Sequence, residues 1–185
     1  MKIIGPELHT ETGMFTEGYW LGPIAFFIEK YGLNDFDISV NAIHELTKRH
    51  TGEFAVRPFL VKYPEKMLRV MKQWSKDSNV HVRRLASEGV RPRLPWSKKL
   101  VQYIDNPKLI LPILENLKKD SSKFVQKSVA NCLNDMLKDN YETAVQTIME
   151  WSKIENENTK WIIRHALRNE RKKENPEALD IINSL

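Results

Sequence analysis

The sequence predicts an all-α fold, an α-solenoid built from antiparallel helical pairs. Three observations predict it. No stretch alternates apolar and polar residues with the period of a strand. Helix starts recur at short intervals, at Pro64, Asn79, Pro107, Ser122 and Pro176. Four segments also share one pattern: FAVRPFLV (54–61), HVRRLASE (81–88), FVQKSVAN (124–131) and WIIRHALR (161–168) place a ring first and a cation fourth. The later spacings, 43 and 37 residues, suit repeated helical pairs, which bury their apolar faces only by stacking on one another.

Taken in order, residues 1–18 carry Gly5, Pro6 and Gly13 without a clear period and read as an irregular lead-in to a repeat domain over 19–185. Helical spacing runs over 19–31 and stops at Gly32; a second helix is expected over 37–49, with Thr51 available as a cap. Pro58 either kinks a helix or opens a new one. Further helices are expected over 64–76, over 107–119 behind the Asn106-Pro107 pair, and over 122–138 behind Ser121 or Ser122. Helices over 141–152, 159–171 and 176–182 complete the chain.

The stretch HVRRLASEGVRPRLPW, 81–96, packs four arginines, one carboxylate, two prolines and a tryptophan into sixteen residues. It reads as a helix ending near Gly89, in the position of a C-terminal cap glycine, followed by a stiff loop. His81, Arg84 and Glu88 share one helix face, while Val82, Leu85 and Ala86 take another. Glu88 lies in the last turn, where the helix dipole disfavours an anion, and Arg83, Arg84, Arg91, Arg93, Lys98 and Lys99 surround it in sequence. Cations gathered about one acid point to a site that holds a polyanion and acts on it. The repeated cations Arg57, Arg84, Lys127 and Arg164 form a column suited to a phosphate backbone. The repeated apolar positions Phe54, Phe124, Val82 and Val125 read as core.

Two more carboxylates stand out. Asp135 lies one helical turn beyond Asn131, the equivalent of Glu88, and is expected on the face of Lys127 and Asn131. Glu53 precedes the first repeat and is expected in a helix's first turn, where the dipole favours it for structural reasons alone. Trp96 closes the proline-stiffened loop, either as a core plug or as a platform for a base or a cation.

Composition narrows the class. The 185 residues are 41% hydrophobic and 29% charged, as in a folded globular protein with a real core. The longest apolar run, 20–28, is broken by Gly22 and Pro23 and is too short for a bilayer, and no signal-peptide layout precedes it, so a cytoplasmic protein without a membrane partner is expected. The single cysteine, Cys132, excludes an internal disulfide, and the five histidines lack zincin spacing, so no metal is expected. The net charge of +5 favours a nucleic-acid partner only through its concentration in the arginine-rich stretch.

EFAVRPFL, VRRLASEGVRPRLPW, KSVANCLNDMLKD and WIIRHALR, in this order, resemble the AlkC family of HEAT-like DNA alkylation repair glycosylases, and the resemblance runs from about residue 19 to the end. It implies a right-handed solenoid with a concave basic DNA-binding face. The implied activity is hydrolysis of the N-glycosidic bond of cationic bases such as 3-methyladenine and 3-methylcytosine in duplex DNA, without base flipping and without a cofactor, by a monomer. By the same resemblance Glu53, Glu88, Trp96 and Asp135 map to the active site, and Arg57, Arg84, Arg91, Arg93, Lys127 and Arg164 are expected on the DNA. An additional C-terminal immunoglobulin-like domain of some relatives has no counterpart before Leu185. Two other readings remain: a non-catalytic solenoid that binds distorted or branched DNA, and a protein-interaction scaffold, which would want an exposed apolar strip along its groove.

Overall fold

Side-chain caps and prolines decide where the helices begin. Asn79 Oδ1 accepts from His81 N (2.9 Å), and Ser122 Oγ accepts from Phe124 N (3.2 Å) and Val125 N (3.3 Å). Asn156 Oδ1 takes Thr159 N at 3.0 Å and Asn175 Oδ1 takes Ala178 N at 3.2 Å. Each satisfies amide donors that a helix start otherwise leaves unpaired. The computed structural model describes residues 4–11 and 17–185, and every regular element among them is helical. The expected lead-in falls partly, at 1–3 and 12–16, outside the described residues.

The chain divides into two compact units, one running to Val90 and the other from Arg91 to Leu185. The first holds a 3-10 turn at Tyr19–Leu21, then α1 (Gly22–Tyr31), α2 (Phe36–Thr47), α3 (Arg57–Lys62), α4 (Pro64–Trp74) and α5 (Val80–Glu88). Its core gathers Ile43 and Leu46 from α2, Phe59 and Leu60 from α3, Met67 and Met71 from α4, and Val82, Leu85 and Ala86 from α5, all buried. Pro58 opens α3 rather than kinking a longer helix. The lead-in is pinned to the end of α2: Leu8 N donates to Lys48 O (2.8 Å) and Arg49 Nε to Gly5 O (2.8 Å).

The second unit holds α6 (Val101–Asp105), a 3-10 turn at Pro107–Leu109, α7 (Leu111–Leu117), α8 (Lys123–Asp139), α9 (Tyr141–Ser152), α10 (Glu157–Ala166), α11 (Arg168–Lys172) and α12 (Pro176–Asn183). The long α8 is its axis, packed against α7, α9 and α10. Val125, Val129, Cys132, Leu133 and Met136 of α8 are buried, as are Ile148 and Trp151 of α9 and Ile162, Ile163 and Ala166 of α10. Buried Asn134 donates to Ala166 O (2.7 Å) and accepts from Asn169 Nδ2 (3.0 Å), so the polar residue on α8 ties the end of α10 to α11.

The expected helices over 107–119 and 159–171 are each broken. Pro112, in the first turn of α7, has no amide to donate, so the chain restarts there after the 3-10 turn. Leu167 (φ −79°, ψ 1°) leaves the helical region, and the Arg168 guanidinium takes the His165 carbonyl at 2.7 Å. The five-residue α6 has too few turns to show a period in sequence. No helix among the described residues is long and apolar enough to cross a membrane.

Candidate functional site

Among the described residues, each unit carries a cluster of charge built around a buried acid. In the first unit the centre is a guanidinium. Arg84 NH1 donates to Glu53 Oε2 at 2.6 Å, and its NH2 lies 3.5 Å from Glu88 Oε1, one turn along α5. The Thr51 hydroxyl sits among them: it accepts from Arg84 NH1 (3.3 Å) and from Glu53 N (3.2 Å), and donates to Glu53 Oε2 (3.1 Å). Glu53 and Glu88 are both buried. Both acids thus hold the same guanidinium, in a setting where water is scarce and the field of a charge is least screened.

Glu53 departs from its expected setting. It stands in the turn before α3 rather than in a helical first turn, so an ion pair, not a helix dipole, accounts for its position. Gly89 departs as well: its φ of −64° is an ordinary helical value, so it is not a left-handed cap. A Cβ at Gly89 would lie 2.8 Å from both Met71 Cε and Val56 Cγ1, so close packing of α5 excludes a side chain.

In the second unit the centre is a carboxylate. Asp135 on α8 is buried; Arg91 Nε donates to its Oδ2 at 2.9 Å and Lys138 Nζ stands 3.5 Å from its Oδ1. One turn along α8, Asp139 receives Arg93 through two bonds, from Nε (2.6 Å) and NH2 (2.5 Å). The Arg93 guanidinium holds the Asp139 carboxyl below its usual range. Burial lowers the pKa of Arg168, which donates to Asn131 Oδ1 at 3.0 Å.

Trp96 has an unusual backbone. Its φ is +59°, the left-handed region that a bulky residue rarely enters, and its side chain is 83% exposed. It is therefore no core plug. A strained backbone under an exposed ring makes Trp96 a candidate for a role outside the core.

The expected cations separate into two groups. Arg57 is buried, with NH1 donating to Gly89 O at 3.1 Å, so it braces the end of α5 and stands away from any phosphate-tracking column. Arg84, Arg91 and Arg93 are engaged by Glu53 and Glu88, by Asp135 and by Asp139. Lys127 and Arg164 are exposed. Sequence reasoning missed Thr51 as a partner of the acids and missed Asp139, although Asp139 lies four residues beyond Asp135 and so on the same side of a helix.

The family model described as DNA alkylation repair enzyme matches residues 50–169, a span that includes Glu53, Glu88, Trp96 and Asp135. The chain belongs to this DNA alkylation repair family. It is 45% identical over 153 residues to YhaZ, an uncharacterized protein of Bacillus subtilis (strain 168), covering 83% of this chain and 43% of that one. The structure of the Pseudomonas fluorescens alkylpurine DNA glycosylase AlkC, bound to DNA containing an abasic site analog, superposes with a TM-score of 0.82 at 47% identity, covering 85% of this chain and 44% of AlkC. AlkD2 from Streptococcus mutans shares the fold, with a TM-score of 0.60 at 24% identity over 83% of this chain and 82% of its own. The chain thus spans less than half the length of YhaZ and of AlkC.

Proposed function

We propose that this protein is a DNA glycosylase that hydrolyses the N-glycosidic bond of cationic alkylated bases, 3-methyladenine and 3-methylcytosine, in duplex DNA without extruding the base. The observation that carries the reading is the pair of buried carboxylates, Glu53 and Glu88, on the single Arg84 guanidinium. Buried carboxylates repel phosphate and favour a cation, which is the charge of an N3-alkylated base and of the sugar as its bond breaks. The close likeness to a glycosylase that acts on alkylated purines supports the same reading.

The chemistry needs little from the protein beyond placed charge. As the bond from C1′ to the base nitrogen breaks, its electron pair moves onto the ring and the base departs neutral, so no acid has to protonate it. Positive charge develops on the sugar, where Glu53, Glu88 and Asp135 stabilise it. Water adds to C1′ and gives its proton to Glu88 or Asp135. Trp96 lies against the sugar or the lesion, and Lys127 and Arg164 contact phosphates. No cofactor enters this scheme.

The competing reading, a non-catalytic binder of distorted DNA, calls for a cation-lined surface, yet Arg57, Arg84, Arg91 and Arg93 are occupied within the protein. The test is release of free methylated base from methylated duplex DNA by the wild type, Glu88→Gln and Asp135→Asn. Release that collapses in both variants supports the proposal. Tight, salt-sensitive DNA binding with no release by the wild type rejects it.

A further inference from the structure

Arg84, Arg91 and Arg93 are held by acids, whereas one strip of the second unit keeps its cations unpaired. Neither 123–131 nor 161–168 contains a carboxylate. Lys123, Lys127 and Arg164 are exposed, and none of them pairs with a carboxylate among the described residues. Lys123, Lys127 and Asn131 follow one another at steps of four, along one ridge of α8 that leads to Asp135. Residues of the neighbouring helix stand beside them. Lys123 Nζ lies 4.5 Å from the Trp161 ring centroid and donates to Gln126 Oε1 at 2.7 Å, which fixes the ammonium in place. The Trp161 ring lies parallel to His165, with centroids 4.9 Å and planes 8° apart. Burial, with Arg168 and Lys127 beside it, lowers the His165 pKa, so at pH 7 that ring is a neutral backing for the indole. One turn before Asp135, Asn131 Oδ1 accepts from Arg168 NH2 at 3.0 Å. Trp161 is half-buried, and its indole N–H has no acceptor among the described residues, so it is left for one from outside the protein.

We propose that Lys123, Lys127, Trp161 and Arg164 form a grip on the sugar–phosphate backbone of duplex DNA to one side of the reacting nucleotide, with the Trp161 N–H donating to a phosphate oxygen and its ring laid along the adjoining deoxyribose. This assignment rests on the glycosylase reading, which puts the reacting nucleotide at Asp135. Charge and continuity select the occupant. Three cations without a counter-charge favour a polyanion, and a strip that runs into the Asp135 cluster meets the strand whose nucleotide lies there. From Lys123 to Asp135 the helix rises roughly 18 Å, about five base steps along DNA. The strip leaves Asp135 in one direction, toward the start of α8, so it holds one flank of the lesion. Trp161 and Lys123 are therefore positioning residues, which set where the strand lies without touching the bond that breaks.

Fluorescence anisotropy with duplex DNA carrying a central abasic-site analogue tests the grip without requiring turnover. Wild-type binding is expected to weaken more when one flank is cut to about two base pairs than when the other is, since the strip reaches about five. Lys123→Gln, at an exposed position, and Trp161→Phe, which keeps a ring on His165 but removes the N–H, are each expected to bind the uncut duplex about tenfold more weakly. Both should also lose the difference between the two cuts. Lys123→Gln should lower the slope of log affinity against log salt by about 0.9, and Lys123→Arg should restore it. Variants that bind every duplex as the wild type does overturn the proposal. An equal loss on the uncut duplex and on both cut ones overturns it too, since a packing role would act on all three alike. Flank-dependent binding by a wild type that releases no base leaves the grip in place and rejects the glycosylase reading instead.

Discussion

The two units arrange charge about their buried acids in opposite ways, one around a cation and the other around a carboxylate. In the first, one arginine serves two carboxylates, Glu53 and Glu88. In the second, two cations, Arg91 and Lys138, serve the single carboxylate of Asp135. In the first cluster the shared group is a cation, held by two buried acids; in the second it is a buried carboxylate, approached by two cations. The difference teaches that a count of cations along the sequence says little about the charge a site presents, because salt bridges spend some of those cations internally.

The largest effect that sharpens this comparison is on stability. Arg84→Gln removes a guanidinium from two buried acids at once and is expected to cost about 3–5 kcal/mol. Arg91→Gln is expected to cost less, because Lys138 remains near Asp135. Urea unfolding of both variants checks this, and equal losses would break the asymmetry. Next comes rate: Glu88→Gln and Asp135→Asn should each slow base release about 100-fold or more while leaving duplex binding intact. If only one does so, the chemistry belongs to a single unit.

A smaller effect is expected at Trp96, where the left-handed backbone stores about 1–2 kcal/mol. Trp96→Gly should leave the melting temperature unchanged or higher while base release falls. A loss of both would mean that the ring packs rather than acts.

The smallest effect concerns protons. Burial lowers the pKa of His50, His81 and His165, with Arg84 adding to the shift at His81 and Arg168 and Lys127 adding to it at His165. A histidine whose folded pKa lies below its unfolded value binds protons first when unfolded. Its contribution is therefore present above about pH 6.5 and is lost as the pH falls below it. The melting temperature should decline from pH 7 to pH 5, less steeply in His81→Gln. The Arg93–Asp139 pair responds only in more acid solution, since Asp139 is held below the usual carboxylate range. A flat profile between pH 5 and 7 would contradict the burial of the histidines.

Much of this architecture was legible in the residues. The caps Asn79 and Ser122, the start at Pro64, the span 141–152 and the helical repeats were all readable, because caps, prolines and apolar periodicity act within a few residues of where they stand. The pairing of Arg84 with Glu88 was also readable, being one turn apart on one helix.

What the sequence determined by itself is therefore the helical class, the repeat and the set of acids and cations available. Tertiary structure decided their use. It buried Arg57 on the Gly89 carbonyl and brought Glu53 to Arg84 from 31 residues away in the chain. It sent Arg91 to Asp135 across 44 residues, bent Trp96 into a left-handed conformation and left the apolar α1 uncovered. The physical reason is range. Capping and periodicity are satisfied locally, whereas the partner of a buried charge is whichever opposite charge the packing carries within about 4 Å of it.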